Sequence, residues 1–202
     1  MYEYFDEKHV NDFSDSNIEI LYDHGYVFTR LGKGVMHQVD SVRVDLNEFE
    51  LSSENRRIIK KVKVLELIWE SIPYKKYTWK TGRLAKDFYD HKGGEGTMSV
   101  NKIREMFTNM DKSNMNGVFV YQPESVGYCL CYRAENIIHY SYPFYNLNNN
   151  SPNIGMGMML KAVLWAKEGG KKYIYLGSNK KYKHQFRGLE VFDIEKGWVI
   201  SY

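Results

Sequence analysis

The sequence predicts an α+β fold, in which helices flank a mixed β-sheet and a small β-rich lobe precedes it. Three observations lead to this class. Three strand-like segments separated by short turns fill residues 118–145, which is typical of an antiparallel meander. A glycine turn, an apolar-striped helix and a strand follow over residues 155–176. Two more strand-like segments around a turn at residues 195–197 predict a closing hairpin.

The small lobe is predicted for residues 1–72 and the main domain for residues 73–202. The lobe contains three short segments rich in β-branched and aromatic residues, which favours strands. They cover residues 18–22, 25–30 and 42–46. Pro73 marks the end of the lobe because proline interrupts a strand or helix that reaches it.

A short helix is predicted inside the lobe, beginning at a serine and continuing to residue 60. Ser52 and Ser53 are both typical N-cap residues, since a serine hydroxyl accepts a hydrogen bond from a free backbone N–H of the first turn. Residues 62–72 are apolar and β-branched, which favours a strand; the alternative is that the helix continues through them.

The main domain begins with two predicted helices, over residues 74–92 and from Ser99 to about residue 110. A Gly-Gly-Glu-Gly loop separates them. The three strands of the predicted meander cover residues 118–121, 126–132 and 137–145. A polar loop then leads to the glycine turn.

The start of the next helix is a candidate ligand site, formed by Ile154, Gly155, Met156, Gly157 and Met158. Backbone N–H groups at a helix start can point at an anionic or carbonyl-bearing ligand. We therefore predict that these amides bind a ligand of this kind; the alternative is an ordinary helix start. Gly169 and Gly170 end the helix, and a strand, a short helix and the hairpin follow.

Composition narrows the class of protein. The 202 residues are 43% hydrophobic and carry a net charge of +3, which fits a folded domain and excludes a histone-like polycation. No stretch approaches the roughly 18 apolar residues of a membrane helix. The acidic N-terminus lacks a signal-peptide pattern, so we expect a cytoplasmic protein with no membrane partner.

Two cysteines and two basic clusters bear on binding. Cys129 and Cys131 alternate along a predicted strand, which suits two reduced thiols better than a disulfide or a metal site.

Basic residues recur near residue 57 and again near residue 183, and such clusters either bind phosphates or form solvated faces. The candidate RNA-binding residues are Arg56, Arg57, Lys60, Lys180, Lys183 and Arg187.

The order of elements from residue 74 onward resembles the fold of the GCN5-related N-acetyltransferases. The glycines of Gly155-Met-Gly157 match the family's turn, whereas Pro152 stands where the family has Arg or Gln. The resemblance implies that the strands before and after the turn's helix splay apart and that the donor lies in the gap.

A closer resemblance links the chain to the aminoacyl-tRNA–protein transferases, the arginyl and leucyl enzymes of the N-degron pathway. The likeness is clear after Gly155 and looser in the N-terminal third, around Arg43 and Arg56. It is carried by Tyr-Ile-Tyr-Leu-Gly at 173–177, Tyr-Lys at 182–183, Phe-Arg at 186–187 and Leu-Glu at 189–190. Two departures stand out: the family's N-terminal cysteine cluster is absent, and Asn146 replaces an Asp.

The resemblance implies a reaction in which an amine attacks the ester of aminoacyl-tRNA directly. The acceptor would be a protein N-terminus or a small peptide, and aminoacyl-tRNA would serve as co-substrate with no cofactor or metal. The candidate catalytic residues are Tyr182, as proton donor to the leaving group, and Glu190 or His139, as base. The alternatives are a coenzyme-A-dependent N-acyltransferase using acetyl-CoA and a non-catalytic RNA- or protein-binding relative; the oligomeric state stays open.

Overall fold

The strands in the described part of the chain form two sheets. The computed structural model describes residues 3–123, 126–148 and 152–201. The strands in chain order are β1 (Asp6–His9), β2 (Tyr26–Phe28), β3 (Val35–Gln38), β4 (Ser41–Asp45), β5 (Glu66–Ser71), β6 (Gly117–Gln122), β7 (Gly127–Arg133), β8 (Ile137–Tyr145), β9 (Tyr173–Ser178), β10 (Leu189–Asp193) and β11 (Gly197–Ile200).

The larger sheet has eight strands in the order β11-β10-β4-β9-β8-β7-β6-β5, and the smaller has the order β1-β3-β2. In the larger sheet, β8 and β9 are parallel, and the other neighbouring pairs are antiparallel. The predicted meander is therefore confirmed as β6–β8, and the predicted closing hairpin is β10–β11.

Helices cover both faces of this sheet. They are α1 (Asp15–Asp23), α2 (Ser53–Lys61), α3 (Trp79–Gly93), α4 (Val100–Thr108), α5 (Ile154–Glu168) and a short 3₁₀ helix (Lys181–Gln185). Side chains of α1, α3 and α4 contribute to one buried cluster, and those of α2 and α5 to a second. The mixed sheet between two helical layers confirms the predicted α+β class.

The prediction of a strand at residues 18–22 is wrong, because these residues lie in α1. Ile18 and Tyr22 are fully buried, whereas Ile20 between them is 57% exposed. Residues four apart share one face of a helix, and residues two apart do not. The segment is too short for its apolar spacing to distinguish this period from the period of a strand.

The small sheet contains two strands that the sequence did not indicate. All four residues of β1 are exposed, so the segment lacks an apolar alternation. Its pairing with β3 is supported by side chains instead, with the Nε2 of His37 2.8 Å from the Glu7 carboxylate. The helix does not continue through residues 62–72. It ends at Lys61, and the predicted strand is β5, which begins at Glu66.

The larger sheet takes strands from both sides of residue 73, the predicted domain boundary. Strand β4 lies between β9 and β10, and β5 forms the opposite edge. The guanidinium of Arg43 on β4 holds this junction together: it donates to Glu190 at 2.6 Å and to Asp23 at 2.8 Å. It also lies 4.3 Å from the centroid of the Trp198 ring, a cation–π distance.

The N-cap of α2 generates a prediction about stability. The Ser52 hydroxyl accepts from the Asn55 N–H at 3.1 Å, and the Asn55 side chain accepts from the Ser52 N–H. Ser52→Ala should lower the free energy of unfolding by about 1 kcal/mol, measured by urea denaturation. Ser53→Ala, one residue into the helix, is the matched control, and an equal loss in both variants would contradict this cap assignment.

Candidate donor-binding cleft

A cleft opens where β8 and β9 diverge. Residues Ile137–His139 of β8 pair in parallel with residues Tyr173–Tyr175 of β9. Strand β8 continues to Tyr145 and remains paired with β7 on its other side. The second half of β8 therefore has no neighbour on the β9 side within the described residues, which is the splay that the resemblance implied.

A β-bulge in the β7–β8 ladder involves Ser141, a residue that lines the cleft. Leu130 of β7 is opposite Tyr142, and Cys131 is opposite Tyr140, so Ser141 is an extra residue. Bulges interrupt the ladder and redirect a side chain or backbone group, often beside a functional site. The Ser141 hydroxyl is buried and has no hydrogen-bond partner in the described part of the chain. It is a polar group available to a ligand.

Helix α5 begins at this cleft, and its first turn has amides that no described residue pairs. Its N-cap residue, Asn153, is left-handed with φ of 66°, and its side chain does not cap the helix. Gly157 donates its N–H to the Asn153 carbonyl at 2.8 Å. The amides of Ile154, Gly155 and Met156 have no partner among the described residues, as expected of a first helical turn without a cap.

The five predicted donor-binding residues thus divide into two groups. The amides of the first three have no partner within the described ranges, whereas the Gly157 amide is paired and Met158 lines the cleft with a buried side chain. A Cβ on Gly157 would lie 2.7 Å from the Val62 side chain, so glycine allows α2 to approach α5 closely. The Met158 side chain is fully buried, and its carbonyl accepts from the Tyr121 hydroxyl at 2.8 Å.

The cleft has a volume of about 1170 Å³ and is lined by β8, α5, the 3₁₀ helix, α2 and α3. Its inner wall is buried and uncharged, formed by Ile58, Phe88, Tyr140, Ile154, Met158 and Met159. Its charged lining residues, Glu54, Lys92 and Lys181, are exposed at the rim. A ligand would therefore reach an apolar interior past a partly cationic mouth.

Tyr182 lies in the cleft, as the prediction of a catalytic role requires. Its side chain is 54% exposed and belongs to the lining. Partial burial raises the pKa of the phenol, and the neighbouring Tyr145 raises it further. The hydroxyl is therefore protonated near neutral pH and can donate a hydrogen bond or a proton.

The two candidate bases lie elsewhere. His139 is buried in the sheet, with its Nδ1 2.9 Å from the Tyr22 hydroxyl. Burial, with a smaller contribution from Lys183, lowers its pKa to about 3, so the ring is neutral. Glu190 is bound to Arg43 at the β4–β10 junction. Neither residue lines the cleft.

Lys183, a predicted RNA contact, is a structural residue. Its side chain is 4% exposed, and its ammonium donates to the Leu176 carbonyl at 2.7 Å and the Ser178 carbonyl at 2.6 Å. These carbonyls lie beyond the residues where β9 pairs with β8. The ammonium thus replaces hydrogen bonds that a longer ladder would have supplied, and it is not available to a phosphate.

The other predicted RNA contacts are exposed, but two are already paired. Arg57 binds Glu54 at 2.6 Å, and Arg187 binds Glu50 at 2.7 Å. The structure adds Lys181, a member of the second basic cluster, and Lys92 at the cleft mouth; neither is among the candidate RNA-binding residues. Asn55 of α2 donates to Gln185 of the 3₁₀ helix at 3.3 Å, so these two elements form one rim. The exposed cations of that rim with no ion-pair partner among the described residues are Arg56, Lys60, Lys61, Lys180 and Lys181.

Neither a metal-ligand group nor a membrane-spanning helix occurs among the described residues. No group of three or more His, Cys, Asp or Glu side chains within them is arranged to hold a metal ion. Cys129 and Cys131 are buried thiols. No helix in the described ranges combines the length and apolar character needed to cross a membrane.

The sequence matches no protein-family model and no curated protein. Solved structures do match. L-PGS from Bacillus licheniformis is 16% identical with a TM-score of 0.53, and the match covers 90% of this chain and 66% of that chain. The GCN5-related glucosamine N-acetyltransferase region of a fungal multi-domain GH3 beta-N-acetylglucosaminidase is 11% identical with a TM-score of 0.51, covering 91% and 22%.

These comparisons show that the chain has the GCN5-related acyltransferase fold. The chain spans less than two thirds of the length of either matched chain. The likeness supports the fold implied by the glycine turn and its neighbours. The finer assignment to the arginyl and leucyl transferases stays a prediction.

The buried ammonium of Lys183 generates a second stability prediction. Lys183→Met should lower the free energy of unfolding by about 1–3 kcal/mol at pH 7, because it leaves the buried Leu176 carbonyl and the part-buried Ser178 carbonyl without their donor. Denaturant titration would measure this loss. Lys180→Met, at an exposed position three residues earlier, is the control, and equal stability of the two variants would contradict the structural role.

The same lysine should give the stability difference a specific pH dependence. Burial, with a contribution from Lys180, lowers its pKa to about 8, from 10.5 in the unfolded chain. Between these values the unfolded state binds more protons, so raising the pH stabilises the wild type relative to Lys183→Met, by on the order of 3 kcal/mol in all. Neutral lysine still donates to both carbonyls. A difference that shrinks over this range would refute the shift.

Proposed function

We propose that the protein transfers an aminoacyl group from aminoacyl-tRNA to an amine, either a protein N-terminus or a small acceptor. One observation carries this proposal: the first three residues of α5, whose amides have no partner among the described residues, line the cleft where β8 and β9 diverge. In this geometry a carbonyl oxygen bound at the helix start is stabilised as it becomes an oxyanion.

The chemistry requires no covalent intermediate with the protein. The neutral amine attacks the ester carbonyl, a C–N bond forms and the C–O bond to the ribose breaks. The departing ribose oxygen takes up a proton as the amine loses one. Tyr182 is the proton donor in this proposal, because its hydroxyl lines the cleft and is protonated near neutral pH.

Two features favour aminoacyl-tRNA over coenzyme A as the donor. Pro152 occupies the turn position where coenzyme-A-dependent relatives have Arg or Gln, and proline offers neither a side-chain donor nor a backbone N–H. The rim formed by α2 and the 3₁₀ helix carries cations suited to an RNA backbone. The segments of the C-terminal half that resemble the arginyl and leucyl transferases agree with this choice.

A direct assay tests the proposal. The protein is incubated with charged total tRNA and a panel of peptides with different N-terminal residues, and products are read by mass spectrometry. We expect a peptide to gain the mass of one amino acid residue. The parallel incubation contains acetyl-CoA instead of charged tRNA. Acetylation there, without aminoacyl transfer, would establish the coenzyme A alternative; inactivity in both would favour a binding role.

Tyr182→Phe is the catalytic variant for this assay. Loss of a general acid should lower kcat by about 100-fold or more and leave KM for the peptide similar. Tyr4→Phe removes the hydroxyl of a tyrosine that is similarly exposed, at 51%, and does not line the cleft. Retention of full kcat by Tyr182→Phe would show that the phenol has no part in proton transfer.

The basic rim gives a prediction about salt dependence. Replacing Lys180 and Lys181 together by glutamate should weaken tRNA binding and reduce the slope of log K against log salt concentration by about one for each phosphate that is no longer bound. Filter binding over a range of salt concentrations measures this. Lys196→Glu, an exposed position in the β10–β11 turn, is the control. An unchanged slope in the double variant would exclude this rim from the interface.

A further inference from the structure

A second groove lies at the other end of α3 from the donor-binding cleft. It has a volume of about 720 Å³ and shares no lining residue with the cleft. One wall is the face of β5, β6 and β7, and the other is the first turns of α3. Its size is within the range of pockets that enclose a bound group.

The groove exposes large apolar side chains. Trp79, the first residue of α3, is 71% exposed, and Ile68 of β5 is 38% exposed. Both line the groove above a buried floor that includes Tyr74, Val120 and Tyr128. Clustered exposed apolar side chains favour a binding partner, because contact with it removes their surface from water.

The charge of the groove indicates the kind of partner. Glu70 on its wall is already bound by the Lys76 ammonium at 2.8 Å. Lys80 also lines the groove and has no ion-pair partner in the described part of the chain. The groove thus combines apolar surface with one uncompensated cation, which suits a segment that contains apolar residues and a carboxylate.

The groove lies beside an open sheet edge. Strand β5 is the last strand of the larger sheet and pairs with β6 in an unbroken register from Glu66 to Ser71. No backbone group of β5 pairs with a strand other than β6 within the described residues. An unbulged edge of six residues is a template for the addition of an extended peptide.

The sheet register relates this edge to the cleft. Ile68 pairs with Val120, Val120 with Tyr128, and Tyr128 with Phe144, which forms one row across four strands. Phe144 lies between cleft-lining residues Pro143 and Tyr145. Three strand spacings of about 4.8 Å separate β5 from β8, roughly 14 Å in all, so an extended chain needs about five residues to join them.

We propose that this groove and the β5 edge bind an extended segment of the acceptor polypeptide, at least about five residues downstream of its reactive amine. The segment adds a strand to β5 and places alternate side chains over Ile68 and Trp79, with a carboxylate at Lys80. This assignment rests on the proposed function for the identity of its ligand, because it takes the bound polypeptide to be the acceptor.

The binding test uses a probe that cannot react. The probe is a fluorescent, N-acetylated dodecapeptide in which residues 5–10 carry leucine, valine and glutamate at one set of alternate positions and threonine at the other. Anisotropy should show saturable binding that Trp79→Ala weakens by about tenfold or more. Phe5→Ala, which removes an aromatic side chain 52% exposed outside the groove, should bind normally. Lys80→Glu should weaken binding most at low salt.

Backbone methylation of the probe separates strand addition from side-chain contact. Methylating alternate amides of residues 5–10 gives two patterns, and one of them blocks the hydrogen bonds to β5. We expect the two patterns to differ in affinity by about tenfold or more. Equal affinities, or no binding by the unmodified probe, would overturn the proposal. A dimer in sedimentation that Trp79→Ala dissociates would instead assign the edge to a second copy of this chain.

Kinetics with reactive peptides then distinguish the two proposals. With charged tRNA as donor, the dodecapeptide with a free N-terminus should have a KM about tenfold or more below that of its first three residues. Trp79→Ala should bring this ratio towards one, and Phe5→Ala should not. Equal KM values for the two peptides with the wild type would refute the docking site and would not contradict the transferase. Absence of any transfer, with probe binding intact, would refute the transferase and the identity of the peptide as its acceptor, and would leave the groove as a peptide-binding site.

Discussion

The short parallel ladder between β8 and β9 is the constraint on which the rest of the structure depends. It joins three residue pairs and then stops, so backbone groups on both strands lose their ordinary partners. Each buried group left unpaired would cost about 1–3 kcal/mol. On the β9 side, Lys183 supplies donors to Leu176 and Ser178. On the β8 side, the Ser141 hydroxyl and the first amides of α5 have no partner in the described part of the chain, and these residues line the cleft.

The cleft and the second groove lie at opposite ends of α3. Phe88, Tyr89 and Lys92 at the C-terminal end of α3 line the cleft, and Trp79 at its start lines the groove. Fifteen residues of helix span roughly 22 Å. A rigid helix of this length fixes the separation of the two sites, because neither end can move alone without disturbing the packing of Ala85 and Phe88 in the core.

Sequence patterns identified the elements whose signals are local. The meander, α5 and the closing hairpin depend on short turns and on regular apolar spacing, and they lie where expected. The prediction for α1 failed because nine residues contain too few repeats of the apolar spacing to distinguish a helix from a strand. Lys183 and Glu190 carry charges that a sequence places on the surface by default. The structure gives them partners, Leu176 and Arg43, through contacts that no local pattern encodes.

Strand β4 has a kinetic consequence. It lies between β9 and β10, so residues near position 43 complete the middle of the sheet with strands made about 130 to 150 positions later. The ion pair of Arg43 and Glu190 spans 147 positions. Contacts of such high sequence separation slow folding, because a long loop must close before they form. During synthesis the chain therefore carries an unfinished sheet until the β10–β11 hairpin is available, and the cleft forms late.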